Sequence, residues 1–227
     1  MIVSVHIRKA AGSSFRTALK EYYGDYLLLD YGDEIGSSSV SSRIKRFKRK
    51  LAMRADSDGI VERYKIVHGH FFADKYRSLK TPLEYATFLR DPVDRVLSNY
   101  YYLKRNPGRK HGDAVVIKKY QFTLEQYVAF PDARDVQCQF LSGIPLSSFA
   151  FVGLAEAYDE SIKIFNQIFS ADLGFAHNEN RNPERERQYD VDDGVAELIR
   201  KHNRRDLELY EEAKGIFHRQ RNRYLFT

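Results

Sequence analysis

Five short apolar runs constrain the fold of this chain more than any other feature. They lie at Ile2 to Ile7, Tyr26 to Tyr31, Tyr64 to Phe72, Tyr85 to Leu89 and Phe149 to Leu154. Runs this short, rich in β-branched and aromatic residues, read as buried strands. The stretches between them carry helical signals. Ser13 or Ser14 is expected to cap a helix that reaches about Tyr23 and stops at Gly24. Pro92 suits the first turn of a helix to about Arg105. Short helices are predicted near 123–130 and 134–142, and another begins near Tyr158 with Ile162, Phe165, Ile168 and Phe169 on one face. A terminal helix is expected from about Val195 to about His218. Strands alternating with helices predict an α/β fold: a doubly wound parallel sheet flanked by helices, as a single domain over residues 1–227.

Composition narrows the partners. With 227 residues, 43% of them hydrophobic, the chain can bury one substantial core. The net charge of +6 suits an anionic ligand or surface and is too small to point to nucleic acid. The excess concentrates in Arg43, Lys45, Arg46, Lys48, Arg49, Lys50 and Arg54, within a basic helical insertion expected near 36–56. Such a stretch is either a solvated helix face or a contact for an acidic glycan or anionic membrane surface. Cys138 stands alone, so no intrachain disulfide can form, and it reads as a buried hydrophobe. There is no charged-then-apolar leader and no apolar run of membrane-spanning length, so a cytoplasmic protein without a transmembrane segment is expected. "DSDG" and "DVDDG" resemble calcium loops but lack the glutamate such loops need, and read as turns. With no His-Glu-x-x-His and no cysteine cluster, no metal site is expected.

The stretch "VHIRKAAGSSF", residues 5–15, runs from a strand through a turn into a helix. A helix start there presents unpaired N–H groups and a dipole that attract anions. Gly12 allows close backbone approach or positive φ. Ser13 and Ser14 add hydroxyls, and Lys9 adds a full charge. The lysine precedes the glycine, so this is not the nucleotide-triphosphatase loop G-x-x-x-x-G-K-[ST]. A capped helix with a solvated Lys9 would look the same. A second stretch, "FLRDPVDRVLSNYYYLKR" at 88–105, places Arg90 at a strand's C-terminal end, where α/β sheets hold ligands. Ser98 lies two turns into the following helix. The two can grip a second phosphate; alternatively, an Arg90–Asp94 or Asp91–Arg95 ion pair ties down the helix start.

Together these stretches resemble a known family. "HIRKAAGSSF" is similar to the loop of sulfotransferases that use 3′-phosphoadenosine 5′-phosphosulfate (PAPS), and "FLRDPVDRVLSNYYY" resembles that family's 3′-phosphate motif. "FVGLAEAYDESIKIF", 151–165, and "HNRRDLELYEEAK", 202–214, resemble its later blocks. "VHGHF", 67–71, resembles a His-Gly-His segment of the carbohydrate-directed branch, which includes heparan-sulfate 2-O-sulfotransferases and bacterial relatives. Arg8 and Ala10 depart from the family loop, which usually has proline and often threonine there.

The resemblance implies a P-loop-like fold and a donor site for PAPS, with 3′-phosphoadenosine 5′-phosphate (PAP) as product and no metal. Lys9, Ala11, Gly12, Ser13, Ser14 and Phe15 would hold the 5′-phosphosulfate, and Arg90 and Ser98 the 3′-phosphate. Lys9 would also stabilise charge in the transfer, and His70, or else His68, would be the base for an acceptor hydroxyl on a glycan or glycolipid. The two histidines are expected on opposite faces of their strand, so that only one looks into the cleft. Asn178 and Arg181 lie in a polar loop able to close over a nucleotide. The rival functions are a kinase-like phosphotransferase and a non-catalytic nucleotide- or polyanion-binding module.

Overall fold

The first strand, β1 (Ile2–Val5), is buried along its whole length, as a strand covered on both faces must be. In the computed structural model it is the centre of one five-stranded sheet, ordered β2-β3-β1-β4-β5. The others are β2 (Leu27–Leu29), β3 (Ile66–Gly69), β4 (Glu84–Leu89) and β5 (Phe151–Leu154). All four pairings are parallel. The structure describes residues 1–31, 33, 47–48, 57–106, 117, 121–175 and 191–226. Phe47 and Lys48 are helical and exposed; the rest of the basic insertion, and the loop with Asn178 and Arg181, lie outside the described residues.

The chain leaves β1 past β3 to the β2 edge, then returns past β1 to β4 and β5. Connections running in opposite directions cover opposite faces when each crossover is right-handed. The reversal falls at the C-terminal end of β1, the place where such sheets hold ligands. The fold is therefore the doubly wound α/β sheet expected from the strand–helix alternation.

The helices are α1 (Gly12–Tyr23), α2 (Ser57–Arg63), α3 (Pro92–Arg105), α4 (Leu124–Ala129), α5 (Val136–Phe140), α6 (Tyr158–Phe169), α7 (Asp193–His202) and α8 (Arg204–Leu225). Phe15 of α1 packs against Phe88 of β4 at 4.9 Å and Phe165 of α6 at 5.1 Å between ring centres, closing one face of the sheet. A second apolar cluster joins Val96, Leu97, Tyr100 and Leu103 of α3 to Tyr127 of α4 and Ile199 of α7.

Three local expectations are corrected. Neither Ser13 nor Ser14 caps α1; Ala11 does, in the left-handed conformation and with no side-chain bond. "DSDG" and "DVDDG" open helices rather than turns: α2 begins within the first, and Asp192 of the second caps α7 by accepting from the Gly194 N–H at 2.7 Å. The terminal helix is two helices broken at Asn203. That buried side chain donates to the Ile199 carbonyl at 2.9 Å and accepts from the Asp135 N–H at 3.0 Å. Asn203 itself is non-helical, with φ −127° and ψ 39°.

Candidate active site

The loop after β1 turns twice through the left-handed region without a glycine: Lys9 has φ 68° and Ala11 φ 59°. Successive N–H groups in such a turn point inward and form an anion cradle. In α1 the first amide to find a backbone acceptor beyond the turn is that of Phe15, on the Ala11 carbonyl at 3.2 Å. The amides of Gly12, Ser13 and Ser14 precede it, the positions a helix start leaves without intrahelical partners. Ser13 is exposed and Ser14 half-buried. The Phe15 side chain is only 1% exposed and packs into the core.

Arg90 comes off the end of β4 directly beside this loop. Its Nη1 donates to the Lys9 carbonyl at 3.4 Å, and Nη2 lies 3.5 Å from Asp94. The Lys9 ammonium sits 4.2 Å above the ring of Tyr102 on α3. Asp94, Ser98 and Tyr102 are spaced by four along α3 and so share one face. Lys9 and Arg90, singled out in two distant motifs, thus meet at the sheet's C-terminal edge, and Ser98 lies on the face of α3 between their partners Tyr102 and Asp94. Of the two ion pairs considered, the structure shows Arg90–Asp94. Asp91 instead caps α3, accepting from the Val93 and Asp94 N–H groups. Arg95 turns to Asp206, at 4.0 Å.

The histidines lie on the other side of the loop, and their arrangement overturns the opposite-faces expectation. Residues two apart on a strand point the same way. His68 and His70 therefore share a face, and the β1–β3 register, with Ser4 opposite His68, brings His6 onto it as well. The three imidazoles stack: His6 lies 5.0 Å from His68 and 4.2 Å from His70. Tyr31 closes the stack, 4.9 Å from His70 and edge-on to it. His6 was invisible as a site residue in the sequence, where it reads as one polar position in an apolar strand.

Two glycines make room for this stack. A Cβ on Gly12 would fall 1.8 Å from the His6 ring, and one on Gly69 would fall 1.7 Å from the Asp30 carbonyl oxygen. The close approach allowed at Gly12 is thus that of a side chain of the protein itself. Asp30 in turn donates its N–H to the His68 carbonyl and binds Lys75 and Tyr76 through its carboxylate, fixing the segment that carries Tyr31.

The three rings differ in chemistry. His68 is buried, and Nδ1 lies 2.9 Å from the Ser4 hydroxyl. Burial and then the nearby His70 lower its pKa to about 3, while the Gly12 backbone works weakly in the opposite direction without forming a hydrogen bond of good geometry. His6 is lowered too, first by burial, then by His70, His68, Arg16 and Lys9. His70 is half-buried, and its Nδ1 lies 2.7 Å from the His6 carbonyl oxygen. A carbonyl only accepts, so Nδ1 carries the proton and the neutral ring keeps its lone pair on Nε2. Cys138 is half-buried rather than fully buried; burial and then Asp206 push its thiol up, away from reactivity.

None of the described helices is long and apolar enough to cross a membrane. No protein-family model matches the sequence, and no curated protein does. Among solved structures, the chain is similar to the crystal structure of mouse sulfotransferase SULT7A1 complexed with PAP, at 12% sequence identity and a TM-score of 0.40. That similarity covers 91% of this chain and 65% of that one, so the chain spans about two thirds of the length of the mouse protein.

Proposed function

We propose that the protein is a sulfotransferase that moves the sulfuryl group of PAPS to an acceptor hydroxyl, on a carbohydrate or glycoconjugate. One observation carries this reading: the Arg90 guanidinium rests on the Lys9 carbonyl at the C-terminal edge of adjacent strands, so the two motifs that resemble the family's phosphate sites form one site. The residues present fit such a donor. The amides at the start of α1, with Lys9, suit a 5′-phosphosulfate, and Arg90 with Ser98 suits a 3′-phosphate. PAPS supplies the sulfuryl group and a phosphate leaving group. Lys9 and the fixed N–H groups stabilise negative charge without reorganising, which is where electrostatic catalysis gains most. His70 takes the acceptor's proton at Nε2, the nitrogen that its bond to the His6 carbonyl leaves basic. His68, buried and lowered to about 3, is better suited to holding the loop than to accepting that proton. The Tyr31 ring, exposed and beside His70, offers a flat face for a sugar.

The test is a PAPS-dependent screen of glycans, lipids and small alcohols, with sulfated product detected by mass spectrometry. His70→Ala is expected to lower kcat about 10²–10⁴-fold while PAP affinity stays within a few-fold. Full activity in His70→Ala would remove it as the base. PAP should bind unchanged in the presence of chelator. Binding of magnesium-ATP in preference to PAP would favour the kinase-like rival, and PAP binding without turnover of any acceptor would favour the binding module.

A further inference from the structure

Arg90 and Asp91 leave β4 where the sheet ends, so their backbone groups have no ladder partners and must be satisfied otherwise. The side chain of Gln137 on α5 satisfies both groups of Arg90. Its Oε1 accepts from the Arg90 N–H at 3.0 Å, and its Nε2 donates to the Arg90 carbonyl at 2.9 Å. Glu156 takes the next residue, accepting from the Asp91 N–H at 2.8 Å. An amide that grips both peptide groups of one residue fixes both flanking peptide planes, and so the direction in which that side chain leaves the backbone.

The Gln137 grip is itself held from α8, and the same helix packs beside Glu156. Asp206, fully buried, accepts from the N–H groups of Gln137 at 3.1 Å and Cys138 at 2.8 Å. Tyr210, one turn further on the same helix, lies beside Glu156, whose negative charge, after burial, helps hold its phenol above the ordinary range. Asp206 and Tyr210 are four apart, so one face of α8 reaches both Arg90 and Asp91 through one intermediary each.

We propose that Gln137, held by Asp206, and Glu156, on the Asp91 N–H, are positioning residues that aim the Arg90 guanidinium at an anionic group of the ligand. Given the donor reading above, that group is the 3′-phosphate, and these residues set the preference for a 3′-phosphorylated nucleotide without touching it. A merely structural glutamine would, on removal, weaken every ligand alike.

The experiment measures PAP and adenosine 5′-phosphate (AMP), which lacks the 3′-phosphate, by calorimetry on the full chain. Gln137→Leu keeps the volume and removes both hydrogen bonds. It should cost about tenfold or more in PAP affinity and less than about twofold for AMP. Glu156→Ala, at an exposed position that does not endanger folding, should shift the same ratio by about threefold. In an Arg90→Ala background, Gln137→Leu should add no further loss for PAP. Equal loss for both ligands, or an unchanged ratio in both variants, overturns the proposal while leaving the nucleotide reading intact. If Gln137→Leu fails to fold, the Glu156→Ala ratio decides. If the wild type does not prefer PAP over AMP, the nucleotide reading falls and takes this assignment with it.

Discussion

Gly12 shows how a single position can be marked by sequence and still be misread. Its place before a helix in a lysine- and serine-rich loop signals a need for glycine, but the need comes from the His6 ring. Gly12→Ala must displace an imidazole wedged between two others, and overpacking of this kind costs about 1–3 kcal/mol. Most of that loss should disappear in a His6→Ala background, as measured by denaturant unfolding of the four members of the cycle; additive losses would refute the clash as the cause. The histidine stack was only partly legible. The spacing of His68 and His70 by two is enough to place them on one face, but His6 joins them only through the β1–β3 register, sixty-odd residues apart, which no local pattern reports. Lys9, in the loop after β1, and Arg90, just past β4, are neighbours because adjacent parallel strands bring their C-terminal ends together.

Among limits set by local chemistry, the start of α3 and the end of α1 were read well, while the caps of α1 and α7 were not. Pro92, read in the sequence as a first-turn residue, starts α3 with its preset φ, and Asp91, read there only as a partner for Arg95, caps it; the observed helix runs from Pro92 to Arg105. Gly24, with φ 49°, ends α1 where expected. The helical period, by contrast, runs through Asn203 without a breaker, so the last two helices read as one. The break is imposed by a bond to Asp135, 68 residues earlier. Asn203→Ala would remove the acceptor of that half-buried N–H and should cost about 0.5–1.5 kcal/mol, the net worth of a typical hydrogen bond. A loss below a few tenths in urea unfolding would mean that α7 and α8 need no such anchor.

For the whole molecule, the histidine stack ties stability to pH. His6 and His68 are both lowered from 6.5, His68 to about 3, so the folded state binds fewer protons than the unfolded state between these values. Stability is then complete above 6.5 and falls as the pH drops toward about 3, by up to about 1.4 kcal/mol per pH unit for each group. Asp206 acts in the opposite sense. Burial raises it above 3.8, so its contribution favours the folded state at the acid end of the window and flattens the lower part of the curve. Urea midpoints measured between pH 7 and 5 should fall steadily on acidification, and a flat profile across that interval would mean that the stack is not buried as described.

The grip of α8 on the end of β4 also bears on the order in which the protein is made. The bonds that fix Arg90 span 47 residues to Gln137, and those that fix Gln137 span a further 69 to Asp206. Contacts this distant are slow to close. On a ribosome adding roughly 5–20 residues each second, the arginine emerges on the order of ten seconds before the helix that orients it. If Arg90 serves the proposed anion site, the nascent sheet would carry the arginine before its direction is fixed, and the proposed choice of ligand would be set only when α8 docks.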